Sequence, residues 1–282
     1  DSEAKSIITT IDSRVQRIVE QAMDQGVNQQ DAAPVDEGEG DATGIDDGAA
    51  VVLDIATGDV LAMASRPTQG ATQDELPSWT NRALLPVEPG SIFKTVIAVA
   101  ALDQGLVSPD APFHCDGKLD DYNLPCWTFD EGGHGHLTFA EAYAESCNVV
   151  FGLLATQLGG DTIEAYARKL GLGTEIGWRG DVYHDDAFVQ LTEEEAGQLF
   201  HDDASKQDGY ALAQTGIGQR DVRVTPLQAA YMVVSLFHPE KKIYPRVVQS
   251  INYANGDPYF SVPVKEEHHD DPIKPETLQT VR

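Results

Sequence analysis

Ser91 and Lys94 have the residue types and spacing best suited to covalent chemistry in this sequence. They follow Pro89-Gly90 at the start of an apolar stretch, SIFKTVIAVAALDQG, that predicts a helix. Residues three apart on a helix share a face, so both side chains would project together from the N-terminus, the positive end of the helix dipole. Free backbone N–H groups at this end can also bind an oxyanion. A serine becomes a strong nucleophile when a lysine of lowered pKa removes its proton. The pair alone is weak evidence, because a serine here is also a common N-cap.

Ser146 and Asn148 form a second polar pair, on either side of Cys147. Helical patterns precede and follow them, so a hydroxyl and an amide are expected at a helix-to-helix junction. We expect Ser146 and Asn148 to contact substrate, with Asn148 holding an amide. Trp127 is a further substrate-binding candidate at the border of the groove, and its alternative place is the core or the cleft wall.

Three cysteines are too few for a disulfide scaffold and lack the CxxC spacing of zinc sites, so we expect no metal and no cofactor. Cys115 and Cys126 flank a short polar loop, where a disulfide and two free thiols are both open alternatives. Cys147 has no base nearby in sequence and is predicted to pack in the interior. His134 and His136, in a glycine-rich loop without a third ligand, are predicted to face solvent.

Apolar patterning predicts the elements that position these residues. Residues 6–11 read as a strand, and Asp12 or Ser13 caps a helix after it. Residues from about 27 to 47 are acidic and aperiodic and predict a mobile loop. Two further strands, 49–54 and 60–64, are joined by a turn as a hairpin. Later patterns predict helices at 138–157, 161–170, 225–237 and the segment PETLQTVR, and strands at 243–253 and 258–264.

Length and composition indicate one large folded domain. The chain has 282 residues, of which 41% are hydrophobic. Its net charge is -27, from 46 acidic and 19 basic residues, which would repel a phosphate backbone. We therefore expect no nucleic-acid partner. Acidity itself names no substrate.

Several segments together resemble the transpeptidase module of class B penicillin-binding proteins. Ser-x-x-Lys at Ser91 is followed 55 residues later by Ser146-Cys147-Asn148, and the family pairs these two motifs with a Lys-Thr-Gly. The resemblance implies an α/β (α+β) fold shared with serine β-lactamases, with a central antiparallel sheet flanked by helices. It also extends to NRAL at 81–84, TIDSRVQ at 10–16, GAAVVLDIATGDVLAMASRP at 48–67 and GIGQRDVRVTPLQAAYMV at 216–233.

The third motif is where the sequence departs from the family. No Lys-Thr-Gly occurs, and the only similar tripeptide, Gln214-Thr215-Gly216, precedes the predicted helix at 225–237 and is predicted to be loop. The resemblance therefore implies a transpeptidase domain over residues 1–282 that stops before the third motif. It also implies that the N-terminal anchor and non-catalytic domain of the family lie outside this chain.

The resemblance implies a serine-type D,D-transpeptidase or carboxypeptidase of the bacterial cell wall. Ser91 would attack D-Ala-D-Ala of a peptidoglycan stem peptide, Lys94 would take its proton, and Ser146 would relay a proton to the leaving group. Implied partners are the stem peptide, the lipid-linked precursor, β-lactams and the cell-wall synthesis machinery, outside the cytoplasmic membrane. A serine β-lactamase and a non-catalytic scaffold with the same fold are the alternatives.

Overall fold

The fold is built from helices packed around one buried helix, with small antiparallel sheets beside them. The computed structural model describes residues 5–30, 47–66, 80–182 and 186–282, and every structural statement refers to these. The predicted loop at about 27–47 is wrong at its start, because the first helix continues to Gln30; residues 31–46 of that loop lie outside the described residues. The helices are α1 (Ser13–Gln30), α2 (Lys94–Asp103), α3 (Phe139–Ala144), α4 (Asn148–Leu158), α5 (Gly160–Lys169), α6 (Gly209–Gly216), α7 (Pro226–Leu236) and α8 (Pro275–Val281).

All ladders between the named strands are antiparallel, as the family resemblance implies. The largest sheet of the described chain has the order β1-β11-β12, and the other strands form the pairs β2-β3, β4-β7, β5-β6, β8-β9 and β10-β13. The strands are β1 (Lys5–Thr9), β2 (Gly48–Leu53), β3 (Val60–Arg66), β4 (Pro112–Cys115), β5 (Lys118–Leu119), β6 (Leu124–Pro125), β7 (Gly135–Thr138), β8 (Arg179–Val182), β9 (Asp186–Val189), β10 (Lys241–Ile243), β11 (Val248–Tyr253), β12 (Pro258–Ser261) and β13 (Glu266–His268).

Helix α2 lies at the centre of the core. Its six residues 96–101 are all fully buried, as expected for a helix that is apolar on every side. Helices α4, α5 and α8 pack around it, and α4 packs in turn on α6. The hairpin β2-β3 packs against α1 and α7. The rigid centre of the molecule is therefore the helix that begins at Lys94.

The segment Gln214-Thr215-Gly216 is helical, so the prediction of a loop there is wrong. It forms the end of α6, a helix capped by the Asp208 carboxylate, which accepts a hydrogen bond from the backbone N–H of Ala211 at 2.7 Å. A Cβ added at Gly216 would lie 2.8 Å from the carbonyl oxygen of Phe151 in α4. The absence of a side chain at Gly216 thus allows α6 to pack closely on α4.

None of the helices in the described part of the chain has both the length and the apolar character needed to cross a membrane.

Candidate active site

The side chain of Lys94 joins the two polar pairs found in the sequence. Its Nζ lies 3.3 Å from Ser91 Oγ, 2.9 Å from Ser146 Oγ and 2.7 Å from Asn148 Oδ1. It also donates to the backbone carbonyl of Ser146 at 2.7 Å. Only 1% of Lys94 is exposed, whereas Ser91 is exposed at the surface. A buried amine thus lies beneath an accessible hydroxyl.

A tight turn positions Ser91. Residues Gly90–Phe93 form a 3₁₀ turn, and α2 begins at Lys94 rather than at the serine. The backbone N–H of Gly90 donates to the carbonyl of Gly218 at 2.9 Å, and Gly218 has a φ of +74°. A Cβ at Gly218 would lie 1.9 Å from the carbonyl oxygen of Gly90. Segment 216–219 therefore lies directly against the turn that carries Ser91.

Ser146 lies at the break between α3 and α4. Its φ is +53°, a left-handed conformation that costs a residue with a Cβ about 1 kcal/mol. Helix α4 begins two residues later at Asn148, whose Nδ2 donates to the carbonyl of Pro125 at 3.1 Å. This break turns the Ser146 hydroxyl and the side-chain amide oxygen of Asn148 towards the same lysine nitrogen.

Burial lowers the pKa of Lys94 to about 8, and nearby thiol groups of Cys126 and Cys147 oppose the shift. No carboxylate of the described chain contacts its Nζ. A neutral amine has two N–H donors and one lone pair. The backbone carbonyl oxygen of Ser146 and the side-chain amide oxygen of Asn148 can accept hydrogen bonds from the two N–H groups of the amine. The lone pair of the amine is then free to accept a hydroxyl proton. The site can therefore activate a serine near neutral pH.

Trp127 lies on the surface beside the helix break, and 61% of it is exposed. Its Nε1 donates to the backbone carbonyl of Glu145 at 3.0 Å, and its ring meets that of His134 edge-on. It is therefore a surface residue next to Ser146 and not part of the core. A separate open cavity of about 620 Å³ is lined by Glu88, Tyr210, Gln214, Gln219 and Arg220.

The three cysteines lie together behind the helix break. All are buried free thiols, so the alternative of a Cys115–Cys126 disulfide is not the state found. His134 lies with them, so its predicted solvent-facing position is wrong: its Nε2 is buried, whereas His136 is exposed. Sequence spacing missed the group because its members are 8 to 13 residues apart. The available signal was the density of Cys and His in one short segment.

The chain matches known proteins over most of its length. Residues 48–282 match the family model described as the penicillin binding protein transpeptidase domain. The chain is 30% identical to penicillin-binding protein PbpB of Mycolicibacterium smegmatis over 253 residues, and the match covers 86% of this chain and 36% of the relative. It is 27% identical to peptidoglycan D,D-transpeptidase PbpA of Mycobacterium tuberculosis, covering 89% of this chain and 50% of that one. The chain thus spans about a third to a half of these relatives.

Solved structures have the same fold. The crystal structure of PBPA from M. tuberculosis superposes with a TM-score of 0.76 at 22% identity, over 99% of this chain and 63% of that one. Penicillin binding protein 3 from M. tuberculosis, complexed with aztreonam, superposes with a TM-score of 0.75 at 26% identity, over 99% of this chain and 57% of that one.

Proposed function

Because the chain belongs to the penicillin-binding protein transpeptidase family, we propose that it carries the acyl-serine chemistry of a peptidoglycan D,D-transpeptidase. The observation that carries the proposal is the position of one buried lysine nitrogen, which contacts Ser91, Ser146 and Asn148 at once. These groups come from two separate segments of the sequence. Their convergence on an amine of lowered pKa supports nucleophile activation over a structural role for Ser91.

Acylation begins when Ser91 Oγ attacks the carbonyl carbon of the penultimate D-Ala of a stem peptide, while Lys94 Nζ takes the hydroxyl proton. The tetrahedral intermediate collapses by breaking the C–N bond to the terminal D-Ala. The proton on Lys94 passes through the Ser146 hydroxyl, 2.9 Å away, to the leaving amine. Free D-Ala and an acyl ester on Ser91 are the products of this half-reaction.

The second half-reaction runs the same proton transfers in reverse. An amine of another stem peptide attacks the ester carbonyl, loses its proton to the Ser146–Lys94 pair, and releases Ser91 as the cross-link forms. Water in place of the amine gives trimming instead. We assign Asn148 to hold the substrate amide and Trp127 to border the groove. A β-lactam would acylate Ser91 in the same way as the stem peptide and would remain attached to it as a stable ester.

We further propose that the native protein works on the outer side of the cytoplasmic membrane. This chain covers about a third to a half of its curated relatives, and one of them is named a peptidoglycan D,D-transpeptidase. An N-terminal membrane anchor and a non-catalytic domain would accompany residues 1–282 in such a protein. The lipid-linked peptidoglycan precursor and the cell-wall synthesis machinery would then be its partners.

The test is to incubate the native-length protein with a stem pentapeptide ending in D-Ala-D-Ala and with an amine acceptor. We expect release of D-alanine together with a product in which the acceptor amine replaces it. Ser91→Ala should abolish both. Release of D-alanine without transfer would indicate a carboxypeptidase. Rapid turnover of benzylpenicillin without peptide cleavage would indicate a β-lactamase, and no reaction with either substrate would indicate a scaffold.

A further inference from the structure

The three thiols and one imidazole behind the helix break have the composition of a tetrahedral metal site. Ligand atoms of Cys115, Cys126, His134 and Cys147 all lie within 4.8 Å of one another. The three cysteines are fully or almost fully buried. Four soft or borderline ligands of this kind select Zn²⁺ among the common cations.

The distances agree with those of a metal centre. The Sγ atoms of Cys126 and Cys147 are 4.0 Å apart. A Zn–S bond of about 2.3 Å at the tetrahedral angle places two sulfurs about 3.8 Å apart. The Nδ1 of His134 lies 3.6 Å from Cys126 Sγ, and Zn–S and Zn–N bonds of about 2.3 and 2.05 Å require about 3.6 Å. Small adjustments of side-chain torsions would complete the tetrahedron.

A close backbone approach holds the loop of His134 against Cys115. Cys115 ends β4 opposite Gly135 of β7, which brings His134 beside it. A Cβ added at Gly133 would lie 2.2 Å from the carbonyl oxygen of Cys115, so only glycine permits this approach.

We propose that Cys115, Cys126, His134 and Cys147 form a structural Zn²⁺ site. Binding would release the protons of the three thiols to solvent, and the metal would then hold three thiolates and one neutral imidazole. This assignment replaces the expectation of no metal, which rested on the absence of CxxC spacing. It goes beyond the proposed acyl transfer and does not depend on it.

The site would fasten one side of the catalytic centre. Cys147 lies between Ser146 and Asn148, and Cys126 follows Pro125, whose carbonyl accepts a hydrogen bond from Asn148. The metal would therefore tie the segment 112–138 to the start of α4 at the point where Ser146 has its positive φ. With all four ligands bound, the metal would hold the backbone at Ser146 through the segment 112–138 on one side and through Cys147 on the other.

A disulfide is the competing arrangement for these thiols. It would require two sulfurs to move to about 2.05 Å, and it would leave the third thiol and the imidazole without a role. The Nδ1 of His134 approaches only Cys126 and the Thr128 hydroxyl among the described residues. A metal uses all four side chains, which is why we favour it.

The experiment measures metal bound to the purified native-length protein. We expect one equivalent of zinc per chain by elemental mass spectrometry, retained through gel filtration, and protection of all three thiols from iodoacetamide. After zinc is removed with a chelator, Co²⁺ should restore one equivalent. It should also give the thiolate-to-cobalt charge-transfer absorption and the intense visible bands of a tetrahedral site. This spectrum belongs to the wild-type chain, so it does not depend on how any variant folds.

Variants separate this site from adventitious binding. Cys126→Ser and His134→Ala should lower zinc content or shift the cobalt spectrum, whereas His136→Ala, an exposed neighbour at the start of β7, should leave both unchanged. The proposal is overturned if the protein contains no zinc and takes up none when zinc is added. It is equally overturned if its mass is two hydrogens lower from a disulfide, or if Cys126→Ser binds as much zinc as the wild type and gives the same cobalt spectrum.

Discussion

Lys94 is the residue on which the proposed chemistry depends, because it must be neutral to accept the proton of Ser91. The site favours that state by burying the amine and by offering it carbonyl and hydroxyl oxygens instead of a carboxylate. Its pKa of about 8 leaves a useful fraction of neutral amine near neutral pH.

Lys94→Arg should abolish most acylation by benzylpenicillin. Arginine keeps the charge and much of the length but stays protonated, so it cannot take a proton from Ser91. We expect the acylation rate to fall by roughly 10²- to 10⁴-fold, the range for loss of a general base. Stopped-flow or quenched mass spectrometry would measure it, with a thermal melt as the folding control. A variant that acylates at the wild-type rate would exclude Lys94 as the base.

The acylation rate should rise with pH through a midpoint of about 8. Burial lowers the pKa of Lys94, so the inactive protonated form predominates below the midpoint and the reactive neutral form above it. Rates of benzylpenicillin acylation between about pH 6 and pH 10 would give the curve. A rate that is flat over this interval, or that falls as pH rises, would contradict the role given to the amine.

The elements position the catalytic residues through close backbone contacts at a turn and a helix break. Gly90–Phe93 must make a 3₁₀ turn so that Ser91 is exposed while Lys94, at the first position of α2, is buried. Gly218 supports that turn from segment 216–219, where it has a positive φ and leaves no room for a side chain.

Gly218→Ala should reduce both stability and acylation, whereas Gly105→Ala should reduce stability alone. Both glycines have a positive φ, which costs alanine about 1 kcal/mol at either position. Only at Gly218 would the added Cβ also collide with the Gly90 carbonyl; at Gly105 nothing lies within 4 Å. Urea unfolding and benzylpenicillin acylation of the two variants would separate strain from collision. Equal acylation by both would argue against the supporting contact.

Patterning predicted most elements because each has a clear apolar period or a clear breaker. The hairpin β2-β3, the helix after Ser91, and α7 with Pro226 at its first position were all predicted close to their observed bounds. The whole of α6 was missed, since Gln214-Thr215-Gly216 at its end reads as loop and is held helical by packing on α4. The meeting of Lys94 with Ser146 followed from the family resemblance, not from periodicity.

At the scale of the whole molecule, the C-terminal helix α8 is tied to the buried helix α2 through one carboxylate. Asp103, the last residue of α2, accepts hydrogen bonds from the Tyr166 hydroxyl at 2.5 Å and from the Thr277 hydroxyl and the Lys274 backbone N–H, both at 2.9 Å. Burial raises the pKa of Asp103, but these donors outweigh it and the net pKa is lowered. The ionised carboxylate is therefore the state that binds α8.

Asp103→Asn should destabilise the protein by about 1 to 3 kcal/mol at neutral pH, the range for losing hydrogen bonds to a charged group. Because the folded-state pKa lies below the usual aspartate value, this contribution is present above that value and is lost as pH falls through the lowered pKa. Urea unfolding at neutral and acidic pH would measure it, with the exposed Asp110→Asn as control. Equal stabilities of the two variants at neutral pH would contradict the link.

The catalytic proposal is tested most directly by intact-mass spectrometry of the native-length protein after exposure to benzylpenicillin, with peptide mapping of the adduct. We predict a mass gain of one penicilloyl group located on Ser91, formed by the wild type and absent from Ser91→Ala. An adduct on any other residue, or no adduct under conditions in which a control penicillin-binding protein reacts, would contradict the assignment of Ser91 as the nucleophile.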